Sequence, residues 1–401
     1  MRRVFTGLLA TSILLAAPTA ASARELWKQR LDELTAGKAI GVAVREEGRF
    51  LYRRTSAQRR IPASNQKLLL SMALFDTLEP TKTIETTAAT AGLIGSVVDG
   101  DLWILGRGDP TITAGAAYGR QLPFTPTRLR ALALAITSAG ITRVEGSVVG
   151  NTGYFEHDWD APGWKHDFAS EYIPLPSALT FEGNVRRGDH ISNPEHRAAA
   201  ALTRKLENLG VEVTGDPGSG QAPAGLIDVA SVSSQPLTTM VRYMNRGSSN
   251  FFAEVFGKRL GLERFGVPGT IAKGAAAIAG WAERQEVPLV AHDSSGLSYE
   301  NKVSPGALVR LLGIAEDRTW GETLRRSLPT GGQGTLEDRL TDVRVRAKTG
   351  TLENISALSG YVWLRQRDTW AEFSILSRGM SKAFASAVED DIVRTLTRYG
   401  R

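Results

Sequence analysis

Ser64 and Lys67 stand three residues apart in the stretch IPASNQKLLLSMALF. On a helix, side chains at i and i+3 share a face, so a hydroxyl and an amine would lie side by side. An amine so placed can take the serine's proton as the hydroxyl attacks a carbonyl, giving nucleophilic catalysis with its base built in. Pro62 fixes the chain just ahead of the apolar run, which puts Ser64 in the first turn, near the positive end of the helix dipole. Leu68 to Leu70 and Met72 to Phe75 are apolar on nearly every face, so the helix should be central in its domain and Lys67 desolvated. Desolvation lowers a lysine pKa and frees the neutral amine to act as a base. The same residues also fit a serine cap followed by a snorkelling lysine at the end of a core helix.

Two further motifs follow in order. MNRGSSNFFAE holds Ser248 and Asn250 between two helical stretches, and RVRAKTGTL holds Lys348, Thr349 and Gly350 on a strand. S-x-x-K, S-x-N and K-T-G in that order are shared by serine beta-lactamases and penicillin-binding proteins. Longer blocks narrow the choice: DSSGLSYENKVSP, LPTGGQGTLEDRL and AKTGTLENISALSGYVW, with GDLWILGRGDPTI, TRVEGSVVG and APGW in the middle of the chain. With them the chain resembles the D-Ala-D-Ala carboxypeptidase/endopeptidase family, the class C low-molecular-mass penicillin-binding proteins, over most of its length.

The resemblance implies an α+β, beta-lactamase-like transpeptidase fold carrying a large beta-rich insertion. It implies that Ser64 attacks the carbonyl between the last two D-alanines of a peptidoglycan stem peptide while Lys67 takes its proton. Ser248 would relay a proton to the leaving amine. The Asn250 amide would hold the substrate backbone and restrain Lys67. Lys348 and the Thr349 hydroxyl would take the terminal carboxylate, Lys348 would also keep Lys67 from charging, and Gly350 would let substrate lie close against the strand. The backbone N–H groups of Ser64 and Thr351 would form the oxyanion hole. No cofactor or metal is implied; beta-lactam antibiotics would act as covalent inhibitors. A cross-link-cutting endopeptidase activity is compatible with the same chemistry.

Two other readings share these residues. A beta-lactamase or esterase would use the same fold, but the E-x-x-L-N segment of class A enzymes is missing between Asn250 and Lys348. A non-catalytic wall-binding protein should have lost Ser64, Lys67 or Lys348, and all three are present. Ser249 stands where the family commonly has Asp, and Asn151 where many relatives carry an Asp that could bind an amino group of the stem peptide.

The remaining chain must position these motifs. Arg2 and Arg3, an apolar stretch from Val4 to about Ala17, and Ala21-Ser22-Ala23 read as a signal peptide over residues 1–23, hence an exported, periplasmic or extracytoplasmic protein with no stable membrane span. The formal charge of +6 loses Arg2 and Arg3 with that leader, leaving +4, too weak an excess to imply nucleic acid. With no cysteine, thiol catalysis and disulfides are excluded. Residues 24–36 have helical spacing, and AIGVAVREEGRFLYRRTS alternates and turns at Glu46-Glu47-Gly48 as a hairpin. Three more strands and a helix from about Lys382 close the chain. Ser64 and Ser248 must meet although 184 residues separate them (248 − 64), so residues 83–236, rich in Gly, Thr and Val, should leave and return as an inserted domain, with a smaller domain nested in it as the resemblance implies, and residues 24–82 and 237–401 forming the catalytic one. His292-Asp293-Ser294 is read as a loop, because sequence neighbours do not converge as a catalytic triad. His157, Asp158, Asp160, His166 and Asp167 match no zinc spacing and are read as a solvated, turn-rich segment.

Overall fold

The computed structural model describes residues 20–115 and 117–399; all but the last four residues of the expected leader, 1–23, lie outside them. Helix α1 (Ala20–Thr35) leads into β1 (Ile40–Glu46) and β2 (Arg49–Arg54), the hairpin the alternation implied. After a 3-10 turn at Ala63–Asn65 comes α2 (Gln66–Leu78), whose residues 66–75 are all buried.

The chain then makes a long excursion. Its strands are β3 (Glu85–Thr90), β4 (Leu93–Ile94), β5 (Val97–Val98), β6 (Leu102–Leu105), β7 (Arg143–Val144), β8 (Val148–Asn151), β9 (Val185–Arg186), β10 (Asp189–His190), β11 (Glu212–Val213), β12 (Gly218–Gly220) and β13 (Ile227–Ser233). Between them lie α3 (Ala117–Gln121), α4 (Leu129–Ser138), α5 (Phe168–Glu171) and α6 (Pro194–Glu207). A five-stranded sheet in the order β12-β8-β6-β3-β13 and a four-stranded one in the order β11-β7-β5-β4 share a core with α4 and α6 built on Leu102, Ile104, Leu132, Val148 and Leu202. The outgoing β3 pairs antiparallel with the returning β13, so the excursion leaves and comes back side by side. It is more helical than its Gly, Thr and Val content suggested, because α4 and α6 carry apolar stripes that cover the sheets.

The chain resumes with α7 (Leu237–Gly247), α8 (Asn250–Phe265), α9 (Ile271–Arg284), α10 (Pro305–Glu316) and α11 (Gly321–Ser327). It ends with β14 (Val345–Leu352), β15 (Ile355–Leu364), β16 (Thr369–Arg378) and α12 (Lys382–Tyr399). The two chain ends build one antiparallel sheet in the order β14-β15-β16-β1-β2. One face packs on α1 and α12 through Trp27, Phe373 and Ile392, and the other on the remaining helices through Tyr361, Phe75 and Phe256. β14 is the sheet's edge, so alternate backbone N–H groups point away from β15; that of Ala347 donates to the Pro329 carbonyl (3.0 Å), and Thr349 and Thr351 follow on the same edge. No helix among the described residues is long and apolar enough to cross a membrane.

Candidate active site

The three motifs converge. Ser64, Ser248, Asn250, Thr349 and Thr351 line one cleft of about 570 Å³. Ser64 sits in the 3-10 turn that opens α2, and the residue before it, Ala63, is buried with φ of +47°. A left-handed alanine costs about 1 kcal/mol, so the nucleophile's turn is held in place by its surroundings. Two glycines do the holding. A Cβ on Gly350 would stand 2.8 Å from the Pro62 carbonyl oxygen and 3.2 Å from the Ala63 Cβ. The glycine of K-T-G therefore lets β14 close on the serine's own turn, a reason for glycine that stands beside the expected room for substrate. Gly296, at φ +87°, presses on the other side, where a Cβ would overlap the Ala63 carbonyl and lie 2.9 Å from the Ser64 nitrogen. Gly296→Ala combines a disfavoured φ with a clash against backbone and should cost about 3 kcal/mol. A thermal melt beside a penicillin acylation rate checks this: both should fall, and an unchanged melt would show that the loop yields.

Lys67 is fully buried. Its Nζ donates to the Ser64 Oγ (3.2 Å), the Asn250 Oδ1 (2.8 Å) and the Ser295 carbonyl (2.6 Å). Burial pulls its pKa down to about 8, against the opposing pull of Asp293 and Glu254. Lys348 lies on β14 with its Nζ donating to the Ser248 Oγ (2.8 Å) and the Thr349 carbonyl (2.9 Å). Burial, then the charges of Lys67 and Lys382, hold it well below the usual lysine range. Burial is the largest cause for both lysines, and the repulsion between their two charges is mutual, so a charged Lys348 also disfavours charge on Lys67.

The S-x-N motif is a helix corner. α7 ends as Ser248 turns left-handed at φ +57°, Ser249 caps α8 by accepting from the Phe252 N–H (3.3 Å), and Asn250 begins that helix. The cap belongs to the middle residue, and serine and aspartate cap comparably well, which explains why Ser249 can replace the usual Asp. Asn250 spans the cleft, taking Lys67 on Oδ1 and donating its Nδ2 to the Tyr172 carbonyl (3.3 Å).

Several cleft residues carried no signal of their own. Lys165, Asp167, Phe168 and Tyr172 from the middle of the chain line the cleft together with Leu297, Tyr299, Thr335 and Glu353, and Phe168 packs in one cluster with Leu297 and Tyr299. Lys165 reaches across the cleft mouth to Glu353 (2.5 Å). Thr349 Oγ1 donates to Thr335 Oγ1 (2.7 Å), which gives the LPTGGQGTLEDRL block its place in the site. The stretch from His157 to Asp167 is thus not simply solvated: Asp167 lines the cleft, Asp158 pairs with the buried Lys258 (2.5 Å), and His157 bonds the buried Glu195 (3.0 Å). Asn151 is not among these lining residues and lines a different cavity, with Gly153 and Ala222. Its Oδ1 accepts from the Gly153 and Ala222 N–H groups, so it fixes a loop.

The loop that begins His292-Asp293-Ser294 braces the site from behind. Asp293 is fully buried and its two oxygens accept from the Gly296 N–H (2.9 Å), the Asn301 Nδ2 (2.7 Å), the Ser298 N–H (2.8 Å) and the Trp164 Nε1 (2.8 Å). Gln66, next to Lys67, donates to the Asp293 carbonyl (3.1 Å). Glu254 of α8 accepts from the N–H groups of Ser294 (2.9 Å) and Ser295 (2.6 Å), and burial pushes its carboxyl up to about 8. An aspartate followed by serines and a glycine is a turn signal, but nothing local shows that the turn fixes the carbonyl facing Lys67.

Known proteins resemble the chain in sequence and in fold. A D-alanyl-D-alanine carboxypeptidase of Actinomadura sp. (strain R39) is 27% identical, the alignment covering 92% of this chain and 83% of that one. A carboxypeptidase of Mycobacterium tuberculosis is also 27% identical, over 78% of this chain and 70% of that one. The fold matches penicillin-binding protein 4 of Haemophilus influenzae with a TM-score of 0.78 at 19% identity, covering 92% of this chain and 99% of that one. The same protein has been solved with a beta-lactam bound; there the TM-score is 0.71, at 19% identity over 90% of this chain and 99% of that one. With its residues 23–189 and 188–399 matching the family model, the chain belongs to the D-Ala-D-Ala carboxypeptidase 3 (S13) family.

Proposed function

We propose that the cleft hydrolyses the terminal D-alanyl-D-alanine bond of peptidoglycan stem peptides through an acyl-enzyme on Ser64. The observation that carries this is a buried lysine with a pKa near 8 in hydrogen-bond reach of the serine it would deprotonate. The Ser64 hydroxyl attacks the penultimate carbonyl as its proton passes to neutral Lys67. The N–H groups of Ser64 and Thr351 hold the oxyanion, and Thr351 stands on the edge strand that Gly350 draws against the serine's turn. Lys348 and Thr349 receive the terminal carboxylate, whose charge favours protonated Lys348. Ser248, already bonded to Lys348, relays the proton that Lys67 took to the departing D-alanine nitrogen, which leaves Ser248 a hydroxyl and Lys67 neutral again. The Asn250 amide exchanges the Tyr172 carbonyl for a carbonyl of the substrate while its oxygen keeps Lys67 in place. Water, deprotonated by Lys67, then releases the shortened peptide.

Residues 83–236 are the proposed inserted domain, and through Lys165 to Tyr172 they supply one wall of the cleft. Beta-lactams would acylate the same serine, and cross-linked stem peptides would be cut by the same steps with a longer leaving group. A leader over residues 1–23 would place the mature chain outside the cytoplasm, where this substrate is. The test is to supply a stem-peptide analogue ending in D-Ala-D-Ala to the mature protein and measure free D-alanine, with a fluorescent penicillin mapped to its attachment site in parallel. D-alanine release and a label on the Ser64 peptide are expected. A label elsewhere, or intact peptide with folded protein, would sink the reading, and rapid loss of the label would favour a beta-lactamase.

A further inference from the structure

A second cavity, of about 470 Å³, is lined by Arg242 and Arg246 of α7, Arg325 and Arg326 of α11, and Arg344 and Arg346 at the start of β14. Glu322 is the acidic residue among its lining, so the lining carries six positive charges and one negative, a net +5 (6 − 1). Like charges are not gathered at this density without cost. Burial and mutual repulsion lower the pKa of Arg246, Arg325 and Arg346, each of which counts other arginines of the group among the causes. The charges are poorly neutralised. Arg325 pairs with Glu316 and Arg326 with Glu322 (2.7 Å), while Arg246 and Arg346 donate to the carbonyls of Arg326 (3.4 Å) and Leu328 (3.3 Å). The Arg246 Nε is buried with no hydrogen-bond partner among the described residues.

A guanidinium presents paired N–H donors that match the oxygens of a phosphate or carboxylate, and a ring of them matches a ligand with more than one such group. We propose that this cavity is a binding site for a multiply charged oxyanion, phosphate or clustered carboxylate, borne by the cell-wall polymer on which the enzyme works. Position supports a role beside the cleft. Arg246 precedes Ser248 by two residues and Arg346 precedes Lys348 by two, so the cavity adjoins the end of the cleft assigned to the substrate's carboxylate. An anionic strand seated there is held next to the bond to be cut. The wall as bearer rests on the function proposed above; the anion site itself does not.

The site contains its own reporter. Arg344 lies over the Trp363 ring, 3.8 Å from its centroid, and 5.0 Å from that of Trp370, with Arg325 5.2 Å from Trp370. Titrating the mature protein with inorganic pyrophosphate should change tryptophan fluorescence saturably and raise the melting temperature, against sodium chloride at equal ionic strength. The double variant Arg242→Ser with Arg326→Ser touches neither the cleft nor the carbonyl bonds of Arg246 and Arg346. It should bind pyrophosphate at least about tenfold more weakly, melt no lower than wild type without the anion, and keep the wild-type penicillin acylation rate. A pyrophosphate response equal to that of chloride, or the same in the double variant, overturns the site. Co-sedimentation with purified cell wall tests the bearer, before and after hydrofluoric acid has stripped its phosphodiester polymers. Binding lost on stripping assigns phosphate, and binding retained assigns carboxylate. Equal sedimentation of wild type and double variant overturns the wall as partner, whatever the acylation assay shows.

Discussion

Lys67→Met is expected to slow penicillin acylation of Ser64 by about a thousandfold or more, at the upper range for losing a general base, and Ser64→Ala to abolish it. The protein should still fold. Burial lowers Lys67 from 10.5 to about 8, so below pH 8 its protonated form costs the native state about 3 kcal/mol. Methionine removes that cost but strands the Ser295 carbonyl and the Asn250 Oδ1, so the two effects largely offset. The pH profile separates a base from a packing residue. Wild-type acylation should rise about tenfold per pH unit and level off above about 8, where Lys67 is neutral, whereas the slow residual reaction of Lys67→Met should lack that limb. Because Glu254 is itself raised to about 8, the midpoint belongs to the pair. Its negative charge raises the pKa of Lys67, so Glu254→Gln should move the limb to lower pH. A wild-type rate flat from pH 6 to 9 would show that Lys67 is not the base, as would acylation by Lys67→Met within tenfold of wild type.

How much of this site was legible before the structure depended on how local each signal is. Ser64 and Lys67 share a helical turn, Ser248 and Asn250 a helix corner, and Lys348 to Thr351 a strand, so each motif is legible locally, and their order together with the family resemblance singled them out. Sheet pairing of the chain ends was legible for a similar reason: β1, β2, β15 and β16 alternate or run apolar with clear turns between them. What spacing could not supply was the direction of a side chain in a packed interior. Gly350 reads as permissive toward substrate, and nothing local shows that Pro62 stands behind it. Which carboxylates bear on the Lys67 amine is equally hidden, and Glu254, on a helix that reads as apolar core, gives no hint that it looks at Ser295. Lys165 and Tyr172 reach the cleft only because the excursion folds back over it, a consequence of tertiary closure that no local pattern encodes.

Asp293→Ala is expected to cost the fold about 4 kcal/mol or more, at the upper end for single substitutions, and to cost acylation more than the loss of stability explains. The carboxylate is the centre of a closed loop, and truncation leaves the N–H groups of Gly296 and Ser298, the Asn301 amide and the Trp164 indole without their acceptor in a dry interior. Each stranded donor costs about 1 to 3 kcal/mol, less than additively because the loop relaxes. Relaxation is where function suffers. The same loop carries the Ser295 carbonyl that fixes Lys67 and the Gly296 that wedges the Ala63 turn, so a loosened loop moves both base and nucleophile. Trp164 joins this centre from the excursion, and its freed indole lets the wall of Lys165 to Tyr172 shift as well. Asp293→Asn tests whether charge or shape matters: its amide would point a donor at donors, so it should recover little of the loss. A melt lowered by about 10 °C, with acylation slowed at a temperature where the variant remains folded, is the expected pair of readings. A lowered melt with wild-type acylation would reduce Asp293 to a stability residue, and Lys67 would then be held by Asn250 alone.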